Sequence, residues 1–207
     1  MSAPAQPLDL SKALRHLRRN PHLAPLIAAN GKPTFRPTRN AFRTLTESII
    51  YQQISGKAAE AILYRFLDLF PKRRFPKPVE LLAVPLPRLR AAGLSSQKAT
   101  YILDLAAKFN DGAIQPRKFS KMADEEISTH LIQVKGIGKW TADMFLMFAL
   151  NRPDVLPVGD LGIRQGFKKL FNLSDIPTTD EMQTLAEPWR PYRTVASWYL
   201  WRILEMP

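Results

Sequence analysis

The sequence predicts an all-α protein. Apolar residues recur every three or four positions through most of the chain, and no segment alternates with period two for long. Helix-capping residues stand ahead of several of these periodic runs.

Residues 1–10 read as a loose tail, and 10–26 carry a short helical pattern that Pro21 and Pro25 interrupt. Residues 31–40, rich in Pro, Arg, Thr and Asn, read as a connector. Phe42, Leu45, Ile49 and Ile50 mark one helix, and Ala58, Ile62, Phe66, Leu67 and Leu69 mark the next. The run Pro71-Lys72-Arg73-Arg74-Phe75-Pro76-Lys77-Pro78 ends that helix in a basic, solvated loop. Helices follow over about 78–83, 86–92, 96–109, 118–122 and 124–132, with Ser95 or Ser96 capping the long one and Asp124 the last. Ile127, Leu131 and Ile132 then stripe one helix, and Ala142, Phe145, Leu146 and Ala149 the helix after it. Thr178 and Glu181 fit a capping box, and Pro188 and Pro191 break the chain before a last helix over about 192–205.

Apolar residues make up 45% of the 207, enough for a core in one domain or two small lobes. The 30 Lys and Arg exceed the 18 Asp and Glu, and the net charge of +12 favours a polyanionic partner. Excess charge also serves solubility alone. With no cysteine, the chain offers no disulfide, no thiolate-held iron–sulfur cluster and no Cys-based zinc site. His16, His22 and His130 are too scattered for a metal motif. Phe145 to Leu150 is too short to span a membrane, and no apolar signal core follows the first charges, so the expected compartment is the cytoplasm.

The segment Leu131-Ile132-Gln133-Val134-Lys135-Gly136-Ile137-Gly138-Lys139-Trp140-Thr141-Ala142 reads as helix, tight glycine hairpin, helix. Gly136 and Gly138 open backbone angles closed to other residues and let a phosphate approach the main chain. Amides at the head of the second helix suit an anion, and Lys135 and Lys139 add charge beside them. Such contacts hold a duplex without reading its bases. The same spacing also fits an ordinary turn between helices, with glycines there for packing. Downstream, Pro157-Val158-Gly159-Asp160 places one carboxylate ahead of a short helical run, where it either caps the helix or does chemistry.

The hairpin Val134 to Ala142, the motif Pro157-Val158-Gly159-Asp160 and the segment Glu187-Pro188-Trp189-Arg190-Pro191-Tyr192-Arg193, in this order and spacing, resemble the helix-hairpin-helix DNA glycosylase superfamily. Within it they are similar to the DNA-3-methyladenine glycosylase II branch, which takes alkylated bases. The resemblance runs from about residue 40 to 205. It implies two helical lobes with the active-site cleft between them. On this chain the hairpin lobe is expected over about 42–155, and the second lobe from 1–41 with 156–207. The N-terminal β-rich domain of larger bacterial members is not expected, since the helical pattern begins too early.

By this resemblance Asp160 takes the catalytic position. N3- or N7-alkylated purines are cationic leaving groups, and a carboxylate can stabilise the oxocarbenium charge that grows on the sugar and orient the attacking water. The base must first leave the helix stack. In the family a residue after the first core helix fills the gap, which is Gln53 of Tyr51-Gln52-Gln53-Ile54-Ser55 here, where some relatives carry a leucine. Gln fills space and can hydrogen-bond the partner base, but is a poorer apolar wedge. The stretch could equally serve only to close a helix.

Lyase-type relatives place a lysine two positions after the last hairpin glycine to form a Schiff base, and that position is Trp140 here. The expectation is therefore a monofunctional enzyme without AP lyase activity. Trp201 matches a pocket tryptophan of bacterial relatives, with Trp140 and Tyr51 as further walls for a cationic purine. Trp189 and Trp198 read as structural, and Phe145, Phe148 and Phe167 as core. Lys135, Gly136, Gly138, Lys139, Thr141 and Arg164 are the expected phosphate contacts, and Arg190 and Arg193 further candidates. No cofactor is expected. The one metal the hairpin could take is a monovalent cation on backbone carbonyls near Val134 and Ile137. The expected partner is damaged double-stranded DNA, bound by a monomer associated with the nucleoid. Two other readings stay open: a monofunctional glycosylase for oxidised, deaminated or mismatched bases, and a non-catalytic helix-hairpin-helix DNA-binding protein, which would leave the Asp160 motif idle.

Overall fold

The computed structural model describes residues 8–206, so most of the expected N-terminal tail lies outside the described residues. Twelve α-helices and a few 3-10 turns make up the regular structure among them, with no strand. In chain order the helices are α1 (Leu10–Leu17), α2 (Leu23–Asn30), α3 (Ala41–Tyr51), α4 (Gly56–Leu67), α5 (Pro78–Leu82) and α6 (Leu86–Ala91). Then come α7 (Ser96–Asn110), α8 (Asp124–Ile132), α9 (Lys139–Met144), α10 (Leu161–Leu170), α11 (Thr179–Ala186) and α12 (Arg193–Glu205).

The caps explain most boundaries. The Ser95 hydroxyl accepts the Lys98 amide at 3.1 Å, which makes Ser95 the cap of α7. Thr178 and Glu181 form a reciprocal box at α11, with Glu181 accepting the Thr178 amide at 2.7 Å. Asp124, expected as a cap, is instead the first residue inside α8, with Ala123 at the cap position. There a carboxylate still complements the positive end of the helix. The expected helix over 118–122 is a 3-10 turn at Pro116–Lys121, and the basic loop is another at Pro71–Arg73. Pro25 sits within the first turn of α2, where a missing amide costs nothing. Helix α9 runs on as a π turn at Phe145–Ala149.

The chain divides into two compact units. One is Thr38–Ala142. The other joins the start of the chain, up to Pro37, to everything from Asp143 onward. The later join therefore falls inside α9, earlier than the 155/156 boundary the sequence suggested. The reason is local: Phe148 lies with its ring centre 5.9 Å from both Phe35 and Trp201, which ties the π turn to the second unit. Phe148 is accordingly a partly exposed bridging ring and not the core residue expected.

In the Thr38–Ala142 unit, α3 and α5 pack on α7 around Leu45, Ile49, Leu81, Ile102 and Leu105. The second unit is organised by α10 against α12. Trp189 is fully buried there, stacked on Phe167 at 5.1 Å, in keeping with its structural reading. Trp198 is half-buried under the Arg202 guanidinium, 5.1 Å from its ring centre.

Two glycines set the α10–α12 distance. A Cβ on Gly166 would stand 2.6 Å from the Leu200 carbonyl oxygen and 2.9 Å from Leu200 Cβ. Backbone cannot step aside as a flexible side chain can. We expect Gly166→Ala to destabilise the protein by about 2 kcal/mol through overpacking. Urea denaturation would measure it, and an unchanged midpoint would disprove the close-packing account.

Candidate active site

Asp160 is the helix cap that the sequence allowed, and its carboxylate also takes a second donor. Its amide closes a turn onto the Pro157 carbonyl at 2.9 Å, which brings the side chain to the head of α10. Oδ1 accepts the Ile163 amide at 2.8 Å, the expected capping bond. The same oxygen accepts the Trp201 indole Nε1–H at 2.9 Å, across from α12. Asp160 and Trp201 are both only half-buried. The carboxylate is thus aimed by two donors from two helices, with the N–H edge of the indole beside it.

Gly162 makes this pairing fit. A Cβ there would lie 2.9 Å from Trp201 Cδ1 and 3.1 Å from Asp160 Oδ1. Gly162 and Gly166, four apart, therefore form one small-residue stripe against α12. Neither stood out in the sequence as a site residue, although small residues at helical spacing are a legible packing signal. Arg164 lies one turn along α10, half-buried. Arg190 and Arg193 both clasp Asp154, with Arg193 Nε 2.7 Å from Oδ1 and Arg190 Nη1 2.7 Å from Oδ2. Their guanidiniums are committed to holding the start of α12, a structural use that the DNA-contact reading did not anticipate.

The hairpin belongs to the other unit. Gly136 has φ +83°, and a Cβ there would fall 2.0 Å from the Tyr101 ring, so both its backbone angle and its packing require glycine. Gly138 is different: a Cβ would meet nothing within 4 Å, so its open side is available for close approach. Lys135, Lys139 and Trp140 are exposed, whereas Thr141 is buried. The Lys135 amide donates to Asp104 at 2.8 Å, and the Gly136 carbonyl accepts from Gln52 Nε2 at 2.9 Å. The Val134 carbonyl already accepts the Ile137 amide at 3.0 Å, an oxygen that a cation at this turn would share.

Burial pushes the Asp104 carboxyl up, but the Lys135 amide bond, the Lys108 side-chain bond and the charges of both lysines outweigh it. The net result is a pKa below the ordinary carboxylate value. Asp104 therefore stabilises the fold fully above that ordinary value, and the contribution is lost as pH falls through the lowered one.

Gln53 lies in the short loop between α3 and α4, exposed, with φ +56°. A glutamine in the left-handed region is uncommon and held only by its surroundings. Ile54 beside it is 38% exposed and Tyr51 40%. Ile54 was not among the residues the sequence singled out, since one apolar residue in a loop carries no periodicity. Among the described residues, no group of three or more His, Asp or Glu is arranged to hold a metal ion.

The shared pattern of HhH-GPD superfamily base excision DNA repair proteins matches residues 46–191, most of the chain and both glycine-hairpin and Asp160 segments. The chain belongs to that superfamily. Within it, this HhH-GPD protein falls in the DNA-3-methyladenine glycosylase II branch. It is 36% identical over 178 residues to DNA-3-methyladenine glycosylase 1 of Schizosaccharomyces pombe, spanning 83% of this chain and 78% of that protein. Among solved structures it resembles the S. pombe 3-methyladenine DNA glycosylase in complex with abasic DNA, with TM-score 0.78 and 34% identity, covering 94% of this chain and 97% of that one. It also resembles a DNA-3-methyladenine glycosidase from Bacillus halodurans, with TM-score 0.85 and 32% identity, over 100% and 94% of the two chains.

The cap geometry separates two substitutions at Asp160. Asparagine keeps an oxygen that can accept from Ile163 and Trp201, whereas alanine keeps none. We expect Asp160→Ala to cost about 1 kcal/mol of stability and Asp160→Asn clearly less. Equal losses in urea denaturation would show that the capping bonds contribute little.

Proposed function

We infer that this HhH-GPD protein is a monofunctional DNA glycosylase acting in base excision repair. It hydrolyses the N-glycosidic bond of alkylated purines such as 3-methyladenine and 7-methylguanine, with 1,N6-ethenoadenine as a further substrate. The observation that carries the reading is the Asp160 carboxylate, aimed by the Ile163 amide and the Trp201 indole at the head of α10.

The chemistry follows from what each group can do. Alkylation at N3 or N7 leaves the purine cationic, so the bond to C1′ breaks with its electron pair leaving on the base, which becomes neutral. Positive charge develops on the sugar, and the fixed Asp160 carboxylate stabilises it. Water then adds its oxygen to C1′ and gives up a proton, with Asp160 as the nearby acceptor. The backbone stays intact. The Trp201 ring, whose N–H edge meets the acid, has a face that suits a cationic purine by stacking and cation–π attraction. Such recognition selects by charge as well as shape. Trp140, half exposed, and Tyr51 are exposed aromatic rings of the Thr38–Ala142 unit.

Strand cleavage would need an amine at position 140 to attack C1′, and an indole cannot form that Schiff base. Lys139 is one residue earlier, turned by about 100° on the helix. Lys135, Lys139 and the open side of Gly138 hold the phosphate backbone, with Gly136 shaping the turn and Arg164 a further contact. Thr141, being buried, contributes from within the helix. Gln53 fills the space left by the extruded base, with Ile54 as its apolar neighbour. A monovalent cation at the Val134 and Ile137 carbonyls would strengthen the phosphate grip. The partner is damaged double-stranded DNA, and we propose a monomer working in the cytoplasm on the nucleoid. No helix among the described residues is long and apolar enough to cross a membrane.

Asp160→Asn should abolish base release from N-methylpurine DNA while leaving duplex affinity within about 2-fold, because the phosphate contacts lie elsewhere. Single-turnover assays would show this, and unchanged turnover would refute the role of Asp160. Borohydride should trap no covalent product from the unmodified protein. Lys135→Ala should weaken undamaged and damaged duplex alike and lower the salt slope of binding by about 1. A slope that does not move would remove Lys135 from the phosphate contacts.

A further inference from the structure

Three side chains of α7 recur at a spacing of three: Lys98, Tyr101 and Asp104. That spacing puts them along one side of the helix. Each holds a different part of the surroundings. Lys98 Nζ donates to the Ile50 and Gln52 carbonyls, both at 2.7 Å, closing the C-terminal end of α3. The Tyr101 ring covers the place where a Gly136 side chain would be. Asp104 accepts the Lys135 amide at 2.8 Å. Gln52 completes the set by donating its side-chain N–H to the Gly136 carbonyl at 2.9 Å. Lys98 therefore holds the residues just before Gln53, while Tyr101, Asp104 and Gln52 hold the hairpin.

We propose that this face of α7, with Gln52, is an alignment brace that keeps the Gln53 loop and the glycine hairpin in one fixed register, so that gripping the backbone commits the loop to the stack. The inference rests on the proposed function, in which the hairpin holds phosphate and Gln53 replaces the base. Lys98, Tyr101, Asp104 and Gln52 are positioning residues, since they act through the hairpin and the loop. The physical need is clear. A loop that slides against its anchor by an ångström loses its place in the stack, because insertion requires alignment with one base step. The left-handed backbone at Gln53 persists only where neighbours over-determine it, and the Lys98 and Gln52 bonds on the preceding residues supply that constraint. Burial pushes the Lys98 pKa down, as expected for an ammonium drawn from water onto two carbonyls.

The test separates loop insertion from backbone grip and from bond cleavage. Full-length protein is bound at saturation to a duplex carrying a tetrahydrofuran abasic analogue opposite 2-aminopurine, whose fluorescence reports what occupies the gap. Affinity for undamaged duplex is measured in parallel. Gln52→Met and Lys98→Met should each reduce the fluorescence change about 5-fold or more, whereas undamaged-duplex affinity, set by phosphate contacts, stays within about 2-fold. Lys98→Arg, which keeps a cation for the two carbonyls, should restore most of the change. The proposal is overturned if the methionine variants keep the full signal, if signal and undamaged-duplex affinity fall together, if arginine does no better than methionine, or if the unmodified protein gives no signal. No bond breaks in this duplex, so failure here is distinct from failure of the glycosylase reading, which would appear as absent base release by the unmodified protein.

Discussion

The close approach of α10 to α12 is the constraint on which the Asp160 site depends. Gly166 lets the Leu200 backbone come within contact distance, and Gly162 lets the Trp201 indole lie against the head of α10. Only at that separation can the indole N–H reach the carboxylate that also caps the helix. Packing and chemistry are therefore the same contact seen at two ends: a stripe of missing side chains on one helix becomes a hydrogen bond that aims an acid. A carboxylate on a mobile loop would spread its charge over many positions. Here two donors set its direction within the protein itself.

The hairpin unit solves a different problem with a similar economy. Its two glycines look alike in the sequence but do different work. Gly136 is required from within, by its positive φ and by Tyr101 pressing on it, whereas a side chain on Gly138 would meet nothing. Around them, one face of α7 and the Gln52 side chain occupy the inward-facing backbone groups at Lys135 and Gly136. Every polar group tied inward in this way leaves the remaining ones to face outward.

Holding a duplex and breaking one of its bonds make different physical demands. Gripping a duplex needs many weak, charge-based contacts that do not distinguish sequence, and the basic character of the chain suits that. Breaking one glycosidic bond needs a single group in one place. A net charge of +12 suits the first need and would hinder nothing in the second, since a fixed acid acts at short range while distant charges are screened.

Much was legible in the sequence. Helical periodicity, caps and prolines determined an all-α chain and most of its helices, because these are local properties of neighbouring residues. The order and spacing of the glycine hairpin, Pro157-Val158-Gly159-Asp160 and the C-terminal motif determined the family, and Trp140 in place of a lysine determined which branch of the chemistry is open. What the sequence could not show were partnerships across long separations. Trp201 meets Asp160 from 41 residues away, and Gln52 meets Gly136 from 84. Arg190 and Arg193 read as candidate phosphate contacts until Asp154 is seen between them, and Phe148 reads as core until its position beside Phe35 and Trp201 moves the boundary between the units. Local pattern decides which helices form. Only their packing decides which side chains face one another, because that depends on how two helix surfaces interlock, and the spacing within either one does not contain it.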